Sequence, residues 1–408
     1  MKKLLLSLSA GFFFLAAFSQ DNPLWMRYPV LSPDGQTILF SYRGDIYKVP
    51  AAGGTAVPLT ISESYEFAPV WSHDGKYIAF ASDRYGNFDI FVMPAVGGEA
   101  RRLTFYSRNE IPSSFTADDK QIIFTTQRQD LVTDAQFPSG VMTELYTVPV
   151  AGGKVSQLLP ISAQEATVNA AGDKLLYDDQ KGYESEWRKH HTSSITRDIW
   201  LYDMKSGKYT RLTQFKGEDR NPVWDANGND FYYLSEQDGS FNIYKSSVQN
   251  PSSSTALTHY SKHPVRFLSR ANDNTLCFGF DGEIYIKKSS GEPQKVPVRI
   301  AEDGRYVLEK VLPVNGGLTE MKLSPNGKEI AFVFRGEIFV TSVTGGITKR
   351  ITNTPWQERS VSFSPDGRSL VYAAEKNSNW NIYKVSIIRK EEPYFYASTI
   401  LKEDTVIA

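Results

Sequence analysis

The sequence is poor in the residues and motifs that most often carry chemistry. A single cysteine, Cys277, is found in 408 residues, so no internal disulfide can form and no lipid-attachment cysteine stands beside the N-terminal apolar run. No Gly-x-Ser-x-Gly elbow, His-Glu-x-x-His pair, phosphate loop or dinucleotide fingerprint occurs, which removes the usual signatures of serine hydrolases, zinc peptidases and nucleotide enzymes. Charge of one sign is lacking too. The 45 basic and 46 acidic residues leave a net charge of −1, with no basic field to gather nucleic acid or anionic lipid. Beyond Phe18 no apolar stretch is long enough to span a membrane.

The N-terminus does carry a signal. Lys2-Lys3 precedes an apolar run from Leu4 to Phe18, and Ala17-Phe18-Ser19 places small residues before Gln20. This is the pattern of a cleavable secretory signal peptide over residues 1–19, and it points to a periplasmic protein. The remainder is rich in aromatics, 13% of the chain with 22 Tyr and 24 Phe, as suits a β-rich globular protein.

The strongest signal is internal repetition. An acidic or amide residue, an aliphatic one and an aromatic one recur in that order at Asp45-Ile46-Tyr47, Asp89-Ile90-Phe91, Glu144-Leu145-Tyr146, Asp198-Ile199-Trp200, Asn242-Ile243-Tyr244, Glu283-Ile284-Tyr285, Glu337-Ile338-Phe339 and Asn381-Ile382-Tyr383. Upstream lie turns of the type Ser32-Pro33-Asp34-Gly35, with copies at Ser72-His73-Asp74-Gly75, Ser324-Pro325-Asn326-Gly327 and Ser364-Pro365-Asp366-Gly367. Proline presets φ, Asp or Asn tolerates the next position, and Gly takes the left-handed one. Between turn and triplet runs a short strand such as Ile38-Leu39-Phe40. After it come Gly-Gly pairs at 53–54, 97–98, 152–153 and 345–346, then blade ends such as Leu59-Thr60, Leu103-Thr104 and Ile351-Thr352. Each unit therefore reads as four antiparallel strands, and stacking such sheets about an axis is how they bury both faces.

Six units run from about Tyr28 to Pro297. The third and fourth carry insertions, Gln127 to Thr143 and Asp179 to Arg197, which are the expected contact surfaces. The pattern lapses from Val298 to Leu318, and two further units follow from Thr319 to Val385. The predicted architecture is all-β: a six-bladed β-propeller over residues 20–300, then the first two blades of a second, incomplete propeller over 301–408, ending on a strand-like Tyr394-Phe395-Tyr396. A single eight-bladed ring is the alternative.

The turns, triplets, Gly-Gly hairpins and Leu-Thr ends resemble TolB-like propeller repeats. The order of parts is more specific. Six such blades, the insertion Gly182-Tyr183-Glu184-Ser185-Glu186-Trp187-Arg188-Lys189-His190-His191 leading into Arg197-Asp198-Ile199-Trp200, and a new propeller opening at Leu323-Ser324-Pro325-Asn326-Gly327-Lys328 resemble the N-terminal part of bacterial tricorn protease homologues. The resemblance implies a six-bladed and then a seven-bladed propeller ahead of a PDZ domain and a serine-peptidase core, with the propellers gating peptide entry and product exit. It places the catalytic groups outside the present sequence.

Individual residues support that non-catalytic reading. The recurrent carboxylates Asp45, Asp89, Glu144, Asp198, Glu283 and Glu337 occupy one repeat position each, and their spread around a ring opposes the close pairing that two-carboxylate catalysis needs. His190 and His191, beside Glu184 and Glu186, do not match zinc-ligand spacing. Arg101-Arg102 and Lys349-Arg350 read as channel lining or as solvated strand faces, and Cys277 as a core residue. No catalytic residue, metal ligand or cofactor is assigned. Peptides, or a protein partner at the rim or channel, are the expected ligands. A stand-alone TolB-like periplasmic scaffold is the alternative, and a prolyl-peptidase-type propeller a third possibility.

Overall fold

The computed structural model of the chain describes residues 23–128, 142–183, 185, 187, 192–301, 312–376 and 378–407. The chain divides into two compact units, Met1–Asp303 and Gly304–Ala408.

The first unit holds six sheets, each made of consecutive strands joined antiparallel. The first sheet comprises Arg27–Leu31, Thr37–Tyr42, Asp45–Pro50 and Gly54–Pro58. The other innermost strands are Glu66–Trp71, Glu110–Phe115, Ala163–Val168, Asp219–Trp224 and Val265–Arg270. The turn motif acts as read: in the first sheet Gly35 takes a φ of 72° and its N–H donates to the Ser32 carbonyl at 2.9 Å. The Ser32 hydroxyl in turn receives the Thr37 N–H at 2.9 Å.

The triplets explain how the sheets stack. Neighbouring residues of a strand point to opposite faces, so the aliphatic and aromatic members of one triplet enter different interfaces. Ile46 packs with Ile78, Phe80 and Phe91 between sheets one and two, while Tyr47 packs with Cys277 and Ile284 between sheets six and one. The rule repeats around the ring: Ile90 joins Tyr146, Leu145 joins the Trp200 group, Ile199 joins Tyr244, and Ile243 joins the Tyr285 group. All six aliphatic members are fully buried. Each contributes about 1.5–3 kcal/mol by leaving water.

Six sheets close the ring. The Leu31 N–H donates to the Ser269 hydroxyl at 3.2 Å, and that hydroxyl lies 3.2 Å from the Pro29 carbonyl. Sheet six is thereby bonded to sheet one. A strand the sequence reading missed completes the closure. Val298–Ile300, placed in the lapse between units, pairs parallel with the edge of sheet one, Val298 opposite Gly54 and Ile300 opposite Ala56. Three residues after Pro297 carry no turn or alternation signal, and their partner lies far back in the chain.

The second unit contains two four-stranded sheets packed through Ile338, Val340, Leu370, Tyr372 and Val385. Here Tyr394-Phe395-Tyr396 is not a strand. Phe395–Ala397 forms a single 3-10 turn that drives Phe395 into the core, and the last strand is Leu401–Ile407. One buried ring with two half-buried neighbours imitates strand alternation over three residues, and the buried anchor decides the conformation.

Gly53 sits where the closing strand docks. Its φ is 90°, and a Cβ there would lie 2.5 Å from the Pro297 ring, whereas one at Gly97, with a φ of 105°, would meet nothing nearer than Leu59 at 3.8 Å. Gly97→Ala is expected to cost only the left-handed penalty, about 1–2 kcal/mol. Gly53→Ala should cost clearly more, because the Val298–Ile300 strand must also shift. Urea unfolding of both variants checks this, and equal losses would show that the closing strand is not seated on Gly53.

Candidate functional site

The innermost strands of all six sheets line one axial cavity of about 920 Å³. Its wall is shaped by a repeated irregularity. In five of these strands the pairing register slips around one residue of positive φ: Tyr28, Ala68, Glu165, Asn221 and Phe267. The third sheet slips at the equivalent place without positive φ, because Pro112 occupies it. Bulges of this kind bend a strand and re-aim its side chains. The residue just before each bulge lies five positions ahead of the turn motif, and the set reads Arg27, Phe67, Ile111, Gln164, Arg220, Arg266 around the ring.

The wall therefore mixes cationic and aromatic groups. Sheets five, six and one present Arg220, Arg266 and Arg27 in sequence. Sheets one and two present rings: Tyr28 and Phe67 stand 5.3 Å apart, and Phe67 meets Phe88 edge-on at 4.8 Å. Both insertions reach this mouth. Gln127 and Thr143 of the first, and Tyr183, Ser185, Trp187 and Arg197 of the second, line the cavity. The Trp187 ring has the Arg27 and Arg266 guanidinium groups 5.0 and 4.9 Å from its centroid, a cation–π arrangement. Residues 129–141 of the first insertion, and His190 and His191 with Glu184 and Glu186, lie outside the described residues.

The recurrent carboxylates form a latch at the outer strands. The Ile46 N–H donates to Thr60 Oγ1 at 2.9 Å, and Thr60 Oγ1 donates to Asp45 at 3.2 Å. The same N–H to threonine bond recurs at Ile90–Thr104, Ile199–Thr213, Ile243–Thr258 and Ile338–Thr352. An arginine two residues before the threonine then pairs with the acid, Arg102 with Asp89 at 2.8 Å, Arg211 with Asp198 at 2.8 Å and Arg350 with Glu337 at 2.9 Å. In sheet three Gln157 stands at the arginine position and donates to Glu144 at 2.7 Å, and in sheet six Lys295 pairs with Glu283. Arg102 and Arg350 thus serve these latches. Arg101 donates to the Val150 and Ala151 carbonyls of the next sheet, and Lys349 to the Ser398 carbonyl, so neither basic pair lines the cavity.

A second group of acids is buried near the cavity. Fully buried Glu66 and Glu110 pair with Arg84 and Arg128, each at 2.6 Å. Arg197 lies 3.6 Å from Asp178 and 3.4 Å from Glu218. Burial, reinforced by nearby Glu165 and opposed by Arg197, holds the Asp178 carboxyl well above the usual range. Burial likewise raises Asp219 to about 7 against the hydrogen bonds of Ser235 and Thr213. The Cys277 thiol is fully buried and pushed up to about 12 by loss of solvent, which makes it an inert core group. Among the described residues no group of three or more His, Cys, Asp or Glu side chains is placed to hold a metal ion, and no helix is long and apolar enough to cross a membrane.

Six sheets, each built on four consecutive antiparallel strands and closed around an axial cavity, define a β-propeller. The family described as the tricorn protease N-terminal beta propeller domain matches residues 23–293, and the chain belongs to it. Tricorn protease of Thermoplasma acidophilum is 23% identical over 216 residues, a match covering 52% of this chain and 19% of that protein. A crystal structure of the tricorn protease superposes with a TM-score of 0.55 at 16% identity, covering 90% of this chain and 44% of the other. A crystal structure of TolB from Acinetobacter baumannii gives 0.42 at 21% identity, covering 55% and 52%. The chain spans less than half the length of the curated relatives it matches.

The raised Asp219 gives a pH signature. Its neutral form is the one the fold favours, so its share of stability is fully present below the ordinary carboxylate range and is lost as pH climbs through about 7. Asp219→Asn is expected to match the parent near pH 4 and to become progressively more stable than it towards pH 8, by at most about 1.4 kcal/mol per pH unit. Thermal melts across that range test it, and a constant difference at all pH values would contradict it.

Proposed function

We propose that the six-sheet unit is a non-catalytic, peptide-receiving module of a tricorn-type serine peptidase, admitting or holding unstructured peptide for a peptidase core outside this sequence. The observation that carries the reading is the axial cavity: all six innermost strands and both insertions converge on it, and its volume falls within the range of about 300–1,000 Å³ typical of ligand sites. Family membership supports it, since the Thermoplasma relative is by name a protease. The exposed hydrogen-bonding edges of an extended peptide suit a wall of bulged strands, aromatic rings and guanidinium groups. Lys2-Lys3 and the apolar run to Phe18 support export to the periplasm, where such a module meets peptides.

The purified chain is expected to bind fluorescent unstructured peptides reversibly, as read by anisotropy, and to leave them intact in a mass-spectrometric time course. Insertion of a bulky side chain at the bulge, Ala68→Trp, should weaken binding at least several-fold while the fold is retained by circular dichroism. Robust cleavage that a single serine substitution abolishes would overturn the proposal, as would the absence of any peptide binding.

A further inference from the structure

The reading above leaves open which peptides the cavity takes, and the wall bears on that question. Among the described residues its charged groups are six arginines, no lysine, no aspartate and a single glutamate, Glu165. On a chain with net charge −1 this is a local concentration of positive charge. Two of the six are balanced: Arg197 faces Asp178 and Glu218, and Arg220 faces Glu218. The lone acid is also engaged, since a Glu165 carboxylate oxygen receives the Asn221 N–H at 3.0 Å.

Arg27, Arg108 and Arg270 differ. None has a carboxylate within ion-pair distance among the described residues. Arg27 has aromatic neighbours, the Trp25 and Trp187 rings at 5.3 and 5.0 Å. Arg270, at the opposite end of its strand, donates to the Ala271 carbonyl at 2.7 Å and leaves its buried Nε without a hydrogen-bond partner among the described residues. Guanidinium groups lining a partly desolvated cleft focus field and concentrate anions, and arginine is the cation best suited to grip carboxylates with paired N–H groups.

We infer that the axial cavity of the six-sheet unit selects acidic peptide segments, with Arg27 and Arg270 gripping Asp or Glu carboxylates while the Phe67 and Phe88 side of the wall accepts apolar side chains between them. This rests on the peptide-receiving reading and adds the charge class of the ligand. Single-stranded nucleic acid shares the taste for arginine and aromatic rings, but apolar Ile111, Val30 and Leu268 sit among the lining groups, and they suit a peptide with mixed side chains better than a continuous phosphate chain.

The test uses the full chain and four labelled probes of equal length: a Glu/Asp-rich peptide, a Ser/Gly/Leu-rich neutral one, a Lys-rich one and oligothymidine. The acidic peptide should bind about tenfold more tightly than the neutral one, with affinity falling as salt rises. The Arg27→Gln, Arg270→Gln double variant should lose about that factor for the acidic probe alone. Arg27→Lys with Arg270→Lys should retain most of it, which guards against a folding defect, and Lys208→Gln on an outer strand should change nothing. Equal binding of acidic and neutral peptides, or acidic binding untouched by the double variant, would overturn the charge inference while leaving the peptide-receiving reading intact. Tighter binding of oligothymidine than of any peptide would overturn it in favour of a nucleic-acid site. Failure of all peptides would remove the underlying reading itself.

Discussion

The opposite burial of two adjacent residues on each third strand is the constraint from which the rest follows. An aliphatic side chain goes into the interface ahead and an aromatic one into the interface behind, as with Ile46 and Tyr47. Because every sheet does this in the same sense, every sheet needs a neighbour on both sides. An isolated sheet would expose one of the two residues, and an open stack would expose them at its ends. In the first unit closure removes the ends: the same Tyr47 that would be exposed on sheet one meets Cys277 and Ile284 of sheet six. The Ser269 bridge and the parallel strand Val298–Ile300 then bond the seam.

Function is built on what this packing leaves over. Faces of the sheets are consumed by stacking and outer edges by the acid–threonine latches, so the bulged inner strands are where side chains are released into an open volume. The repeat holds the backbone constant there while the residue before each bulge varies from Arg to Phe, Ile and Gln. That is how a ring of near-identical sheets acquires a wall of arginines and aromatic rings. The buried acids are a different matter. Asp178 and Glu218 are matched to Arg197, a costly arrangement in low dielectric that favours one geometry over alternatives rather than adding much stability.

Much of the fold was legible because its determinants are local and repeated. Turns such as Ser32-Pro33-Asp34-Gly35 fix the hairpins, and the triplets announce the third strands. What was not legible depends on partners distant in sequence. Val298–Ile300 has meaning only beside Gly54–Ala56, and Phe395 only inside a core formed by Leu370 and Tyr383. The cavity wall fell between these cases. Three of its six arginines stand a fixed five residues ahead of a turn, a signal present in the sequence at Arg27, Arg220 and Arg266. It was obscured because a repeat is read through its constant positions, whereas a binding surface is made by the variable ones. Arg101-Arg102 and Lys349-Arg350 drew attention as adjacent pairs, yet pairing along a strand sends two side chains to opposite faces and so away from a common site.

Ring closure at six sheets is the central claim, and a cross-link across the seam tests it most directly. Thr55 and Arg299 are paired on adjacent strands, with the Arg299 guanidinium donating to the Thr55 hydroxyl at 3.0 Å. In a Cys277→Ser background, Thr55→Cys with Arg299→Cys should form an intramolecular disulfide under mild oxidation, detected as a mass loss of two hydrogens and a reducible peptide pair. A chain in which those two thiols remain free, or link only between molecules, would contradict a closed six-sheet ring.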